Sequence, residues 1–274
     1  MPRLISTAAY RYPTEYLVLA VTILAVFVVI ALTASVTICG SLIFIGGMLV
    51  LSYSATQSHH QDLLRRAKPV TSQNSPRLAQ VVINCHQRLQ PGAVQVYVLG
   101  SRTLNAYTFG LSSPKIVVLY SSLLQILDED ELRFVIGHEM GHVRLGHTWL
   151  NSIIGGMAGI PSTLFITTIL ALTFRGWNRA CEYSADRAGL LACSNPEKAI
   201  SALVKLVSPR AHLTPDEMKH ALQRLDAEDD DPMNVVGELF ATHPMTIRRI
   251  EELRRYAASP VYRRLQAQVD QNLA

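Results

Sequence analysis

Hydrophobic and polar positions fall into distinct regimes along the chain. From residue 17 to residue 58 there is no Asp, Glu, Lys or Arg. One bilayer crossing takes about 20 apolar residues, so a run of this length predicts two crossings joined by a turn. The turn belongs at residues 33–40, the least apolar stretch of the run, which contains Gly40. Residues 57–76 are polar and basic and read as a juxtamembrane linker. Beyond them, spacing of apolar residues predicts a helix over 77–89 (Leu78, Val81, Val82, Cys85, Leu89). β-branched and aromatic residues predict strands over 95–99, 104–110 and 115–120.

Asp128 and Glu131 have the spacing of a capping box, opening a helix that runs to about residue 147. Further helices are predicted over 177–191, 196–207, 214–225, 244–256 and 261–273. An acidic solvated loop at 227–232 (Glu228, Asp229, Asp230, Asp231) interrupts them. A few strands followed by helices predict an α+β domain, mainly helical with a small sheet. The organisation is therefore a transmembrane hairpin over 1–57, a linker over 58–76 and a folded domain over 77–274.

Composition and charge sharpen this in three ways. Hydrophobic residues make up 49% of the 274 residues and charged ones 17%, which suits a membrane-embedded segment. Arg3 and Arg11 precede the apolar run, and Arg65, Arg66 and Lys68 follow it. Positive flanks at both ends place both on the cytoplasmic side, as an even number of crossings requires. A cleaved signal peptide fits less well, because the run continues past any cleavage point and no A-x-A site occurs. The net charge of +4, with no basic–aromatic stripe, gives no support for a nucleic-acid partner. Cys39, Cys85, Cys181 and Cys193 form no C-x-x-C pair and read as reduced thiols.

The chemistry concentrates in His138-Glu139-Met140-Gly141-His142. Residues four apart on a helix share a face. Two imidazoles so placed can bind one Zn²⁺, and the glutamate between them can take a proton from an attacking water. A catalytic zinc takes three protein ligands, and Glu182 on the predicted 177–191 helix supplies the third. Asp186, four residues on, can support a ligand from behind. This logic bears on the apolar stretch at 150–174. A single crossing there would put His142 and Glu182 on opposite sides of a membrane. The stretch is therefore expected to be a helical hairpin broken near Pro161. Among other histidines, His147 lies five beyond His142, off the ligand face, and reads as structural.

His138-Glu-Met-Gly-His142, then Glu182-Tyr-Ser-Ala-Asp186, then Thr242-His243-Pro244 with Arg249 six beyond the histidine, resembles the membrane zinc peptidases that include HtpX and the type I CAAX prenyl endopeptidases. The resemblance covers about residues 94–253 in the family's order. It implies a gluzincin fold and endopeptidase activity with one Zn²⁺ per chain. It also implies roles: His138, His142 and Glu182 as ligands, and Glu139 as general base. Asn105 would hold substrate backbone, His243 would stabilise the oxyanion or cap the metal in a resting state, and Asp186 and Arg249 would pair in support. The prenyl endopeptidases enclose a chamber with many more crossings than this chain can build, so HtpX-like quality control of unfolded or membrane-associated polypeptides is the nearer analogy. The expected partners are a polypeptide substrate and a lipid bilayer; the oligomeric state is not legible. The competing reading, a latent scaffold or chaperone with a peptidase fold, predicts loss of Glu139 or a ligand, and all are retained.

Overall fold

The computed structural model describes residues 5–37, 40–110, 112–148, 165–207, 216–217, 220 and 246–273. The chain opens with a 3-10 turn at Thr7–Ala9 and two long helices, α1 (Glu15–Thr37) and α2 (Gly40–Arg66). A short strand β1 (Lys68–Pro69) leads into α3 (Pro76–Leu89), then β2 (Val94–Leu99), β3 (Ala106–Phe109) and β4 (Lys115–Tyr120). Next come α4 (Leu123–Ile126), α5 (Glu129–Leu145), α6 (Phe165–Cys193), α7 (Pro196–Val207), α8 (Thr246–Ala258) and α9 (Pro260–Leu273). Helices around one small sheet make this an α+β fold.

The sheet order is β1-β2-β4-β3. β2 and β4 run parallel, with Val94 opposite Lys115 and Leu99 opposite Tyr120. β3 pairs antiparallel with β4 and forms one edge, while β1 pairs antiparallel with β2 at the other. Val117 and Leu119 of β4 are fully buried in the core with Val96. α3 adds Leu78, Val81, Cys85 and Leu89 from one face, as its apolar spacing demands.

α5 carries the capping box in full. Asp128 accepts from the Glu131 N–H, and the Glu131 side chain accepts from the Asp128 N–H. Glu131 is buried, and Ser201 and Lys205 of α7 donate to its carboxylate at 2.6 and 2.8 Å. The helix closes at Gly146, whose φ of 82° is a left-handed value open to glycine.

α5 and α6 form the central helix pair, and small residues set their separation. A Cβ on Gly137 would stand 2.3 Å from the Ala192 Cβ, and one on Gly141 would stand 2.6 Å from the Ala188 Cβ. Gly189 presses the same way against the Phe134 carbonyl. Backbones this close bring side chains of α6 onto those of α5.

Three expectations change. The stretch read as a linker is helical to Arg66 and then supplies β1. α6 is one helix of 29 residues, joining the end of the 150–174 stretch to the 177–191 helix without a break. Residues 149–164, with the proposed break at Pro161, lie outside the described residues, as do 227–232 and most of 214–225. Third, the start of the segment read as a membrane hairpin also contributes to the core of the folded domain. Ile5 and Tyr10 are buried in the core of the folded domain. Arg11 and Arg144 donate to the Leu145 and Ile5 carbonyls, at 3.0 and 3.2 Å, and Tyr256 donates to the Ala9 carbonyl.

Candidate metal centre

His138 and His142 stand one turn apart on α5, and their Nε2 atoms approach to 3.2 Å. Glu182 of α6 lies across from them, with Oε2 3.5 Å from His138 Nε2 and Oε1 3.5 Å from His142 Nε2. All three side chains are buried. Two donors each about 2.0–2.1 Å from a tetrahedral zinc stand roughly 3.3 Å apart, so this donor set fits that ion.

Each imidazole also has its outer nitrogen occupied, which turns the inner one toward the shared point. His138 Nδ1 lies 2.9 Å from Asp186 Oδ1. Asp186 is gripped in turn by Arg249 of α8, from Nε at 2.8 Å and Nη2 at 2.6 Å. A third nitrogen of Arg249, Nη1, is 3.4 Å from Glu182 Oε2. Burial works against charge on these carboxyls, but the Arg249 guanidinium outweighs it and holds Asp186 low and Glu182 well below the carboxylate range. For the protein groups alone, burial pushes His138 down, yet Asp186 and Glu182 outweigh it and raise its pKa to about 10. The pocket thus favours a cation between its carboxylates, a proton or a metal.

Glu139 points into the same cleft. Thr108 of edge strand β3 donates its hydroxyl to Glu139 Oε2 at 2.6 Å. The cleft encloses about 290 Å³ and is lined by Asn105, Thr108, His138, Glu139, His142 and Arg249 among others. A larger hollow of about 930 Å³ lies beside Arg88, Arg133 and Asn272, and among the described residues it contains no comparable ligand set. Of the sequence-derived site residues, seven gather around this cleft or directly behind it. His243 lies outside the described residues.

The model of peptidase family M48 matches residues 72–257, which run from α3 to the last turn of α8 and hold every residue of this cleft. The chain belongs to peptidase family M48. It is similar to a plastoglobule-localized metallopeptidase 48 of Arabidopsis thaliana, at 28% identity over 199 residues, 68% of this chain and 58% of that protein. It is also similar to protease HtpX homologs of Trichormus variabilis and Thermococcus kodakarensis. Those matches are 29% identical over 69% of this chain and 76% of the relative, and 27% over 70% and 77%. The chain spans less than two thirds of the plant relative's length.

Two residues beside this centre, His147 and Glu15, escaped the helical reading of the sequence. His147 is buried, with Nδ1 2.9 Å from His142 Nδ1 and Nε2 3.1 Å from Glu15 Oε1. Burial holds its imidazole down to a pKa of about 4, against the pull of Glu15, so it is neutral at pH 7. The five-residue offset points away from the ligands only while α5 continues. The left-handed turn at Gly146 ends the helix and folds His147 back. A Gly one residue before a His at the end of a capped helix is the signal that was open to reading.

Proposed function

We propose that this chain is a zinc-dependent endopeptidase, anchored in a membrane by its N-terminal helices and facing the cytoplasm, that hydrolyses unfolded or membrane-associated polypeptides in quality control. The observation that carries the reading is the convergence of His138 Nε2, His142 Nε2 and the Glu182 carboxylate, with the outer ring nitrogens engaged and Glu139 in the same cleft. The relatives' names, metallopeptidase and protease, agree with it.

His138, His142 and Glu182 would hold the ion. When bound, zinc supplies Lewis acidity, which polarises a carbonyl and makes water a nucleophile at neutral pH. Glu139 accepts the proton of the attacking water and returns it to the departing amine nitrogen as the C–N bond breaks. Asn105 and the edge of β3 offer backbone partners to an extended substrate, which can add as a further antiparallel strand. His243 is assigned to the oxyanion from the sequence alone.

The membrane part rests on α1. Among the described residues it is the one helix long and apolar enough to cross, over Glu15–Thr33. Tyr16, Leu17, Leu24, Phe27 and Leu32 are all more than 60% exposed, which suits contact with lipid. α2 completes the proposed hairpin, and the basic residues at both ends set the orientation.

The test is bound zinc and casein cleavage in detergent for wild type and Glu139→Gln. One zinc per chain in both proteins, with cleavage in the wild type alone, is the expected result. Zinc in both and cleavage in neither would overturn peptidase activity, and a wild type without zinc would overturn the metal centre.

A further inference from the structure

His142 has two ring nitrogens, and one faces the pocket. Nε2 is the atom near His138 and Glu182. Nδ1 lies 2.9 Å from His147 Nδ1, and His147 Nε2 lies 3.1 Å from Glu15 Oε1. The protons in this chain are ordered by its end. A carboxylate only accepts, so His147 Nε2 carries a hydrogen and donates. In the neutral ring His147 Nδ1 is then a lone pair, and it accepts from His142 Nδ1–H. That leaves the lone pair of His142 on Nε2, the tautomer a metal ligand needs. His138 reaches the same state through Asp186 directly.

Glu15 is fixed as firmly as Asp186. Arg11 forms an ion pair with Oε1, and the Ser184 hydroxyl donates to Oε2 while accepting from the Tyr12 N–H at 2.8 Å. Glu15, Ser184, His147 and His142 are all buried. Glu15 is also the first residue of α1, the apolar helix. It lies outside the segment matched by the family model, as Arg11 and Tyr12 do.

Glu15, His147 and Cys181 present ligand atoms within 4.8 Å of one another, so a second cation site is the competing reading. The hydrogen bonding decides against it. Both Glu15 oxygens are already engaged by partners outside the trio, Arg11 and Ser184, and His147 Nδ1 is engaged by His142.

We propose that Glu15 and His147 are positioning residues of the metal centre, joined in one hydrogen-bonded chain that makes the base of the N-terminal apolar helix part of the mounting of His142. This rests on the metal-centre reading above. The anchor and the catalytic metal then form one mechanical unit, and a shift of the first turn of α1 moves a ligand ring.

The experiment uses the full chain in detergent, with zinc affinity from chelator competition and the visible spectrum of the Co²⁺-substituted protein. His147→Leu removes both ring nitrogens, and a loss of zinc affinity of about 10- to 100-fold with an altered cobalt spectrum is expected. His147→Gln keeps an acceptor and a donor and restores part of both. Glu15→Gln swaps a charged acceptor for a neutral one, and a loss of roughly threefold to tenfold is expected. Helix content by circular dichroism shows which variants fold, and if His147→Leu does not, Glu15→Gln decides alone. Folded variants that bind zinc within about twofold of wild type, with an unchanged cobalt spectrum, overturn the chain while leaving the metal centre standing. Two zinc ions per wild-type chain, falling to one in His147→Leu, overturn it in favour of a second site. A wild type that binds no zinc overturns this and the metal centre together.

Discussion

Arg249 clamps Asp186 through two hydrogen bonds, from Nε to Oδ2 and from Nη2 to Oδ1, while Asp186 Oδ1 also meets His138 Nδ1 at 2.9 Å. The guanidinium on α8 thereby sets the ring of a proposed ligand on α5 through a carboxylate on α6. Asp186→Asn keeps the shape and removes the charge that Arg249 is paired with. Breaking one side of a buried pair costs about 3–5 kcal/mol, although Glu182 remains beside Arg249 to absorb part of it. Zinc affinity is expected to fall about 10- to 100-fold. Arg249→Lys keeps the charge but loses the two-point fork, so a smaller loss of both is expected. Thermal unfolding with chelator competition measures the two effects. An Asp186→Asn protein with wild-type affinity would show that His138 needs no carboxylate behind it.

The bond from Thr108 to Glu139 links the edge strand to the proposed base. Thr108→Val has nearly the same shape and no donor. Glu139 then keeps its place on α5 but loses the contact that orients its carboxylate toward the cleft. A fall in kcat of about tenfold, equivalent to ~1.4 kcal/mol, is expected with KM and zinc content little changed. Steady-state cleavage of a fluorogenic peptide gives kcat and KM separately. If KM alone moves, Thr108 serves the substrate and not the base.

The candidate metal-binding pattern was legible because its residues share regular helices. Capping at Asp128 and Glu131 marked the start of α5, and four-residue offsets put His138 with His142 and Glu182 with Asp186 on common faces. What was illegible depended on irregular backbone or distant contacts. His147 reaches His142 only because α5 stops at Gly146. Glu15 stands just before an apolar run, and nothing local connects it to a histidine 132 positions away. Ile5 and Tyr10 sit in a short basic leader without periodicity, so their burial is a purely tertiary result. β1 has two residues, too few for an alternating pattern. The unbroken α6 was hidden by the change from apolar to polar composition near Trp177.

The cap of α5 yields a pH-dependent prediction. Burial alone would raise the Asp128 carboxyl, but Lys198 and the Glu131 N–H outweigh it and hold its pKa below 3.8. A carboxyl held low when folded adds stability that is fully present above its unfolded value and is lost as pH falls through the folded one. Asp128→Ala removes the cap and is expected to cost about 1 kcal/mol at pH 7. Asp128→Asn keeps a capping oxygen and loses only the charge. Its deficit against wild type is expected at pH 7 and should shrink below about pH 4 as the native carboxyl protonates. Denaturation in detergent at pH 7 and pH 3 tests this, and an Asn deficit that stays constant across that range rules out the charge contribution.

Gly141 offers a test of how α5 and α6 are brought together. Gly141→Ala places a Cβ 2.6 Å from the Ala188 Cβ, a contact between two short side chains on rigid helices with no rotamer to yield. The helices must part, and overpacking of this kind costs about 1–3 kcal/mol. Alanine has the better helix propensity by about 0.8–1 kcal/mol, so a purely local effect would stabilise the variant. The two accounts therefore predict opposite signs. Parting the helices also draws Glu182 away from His138 and His142, so zinc affinity should fall together with stability. Ala188→Gly removes the opposing methyl. In the double variant Gly141→Ala/Ala188→Gly the propensity changes nearly cancel, and both stability and zinc affinity are expected to return close to wild type. A stabilised single variant, or a double variant no better than the single, would mean that this contact does not set the distance between the ligand-bearing helices.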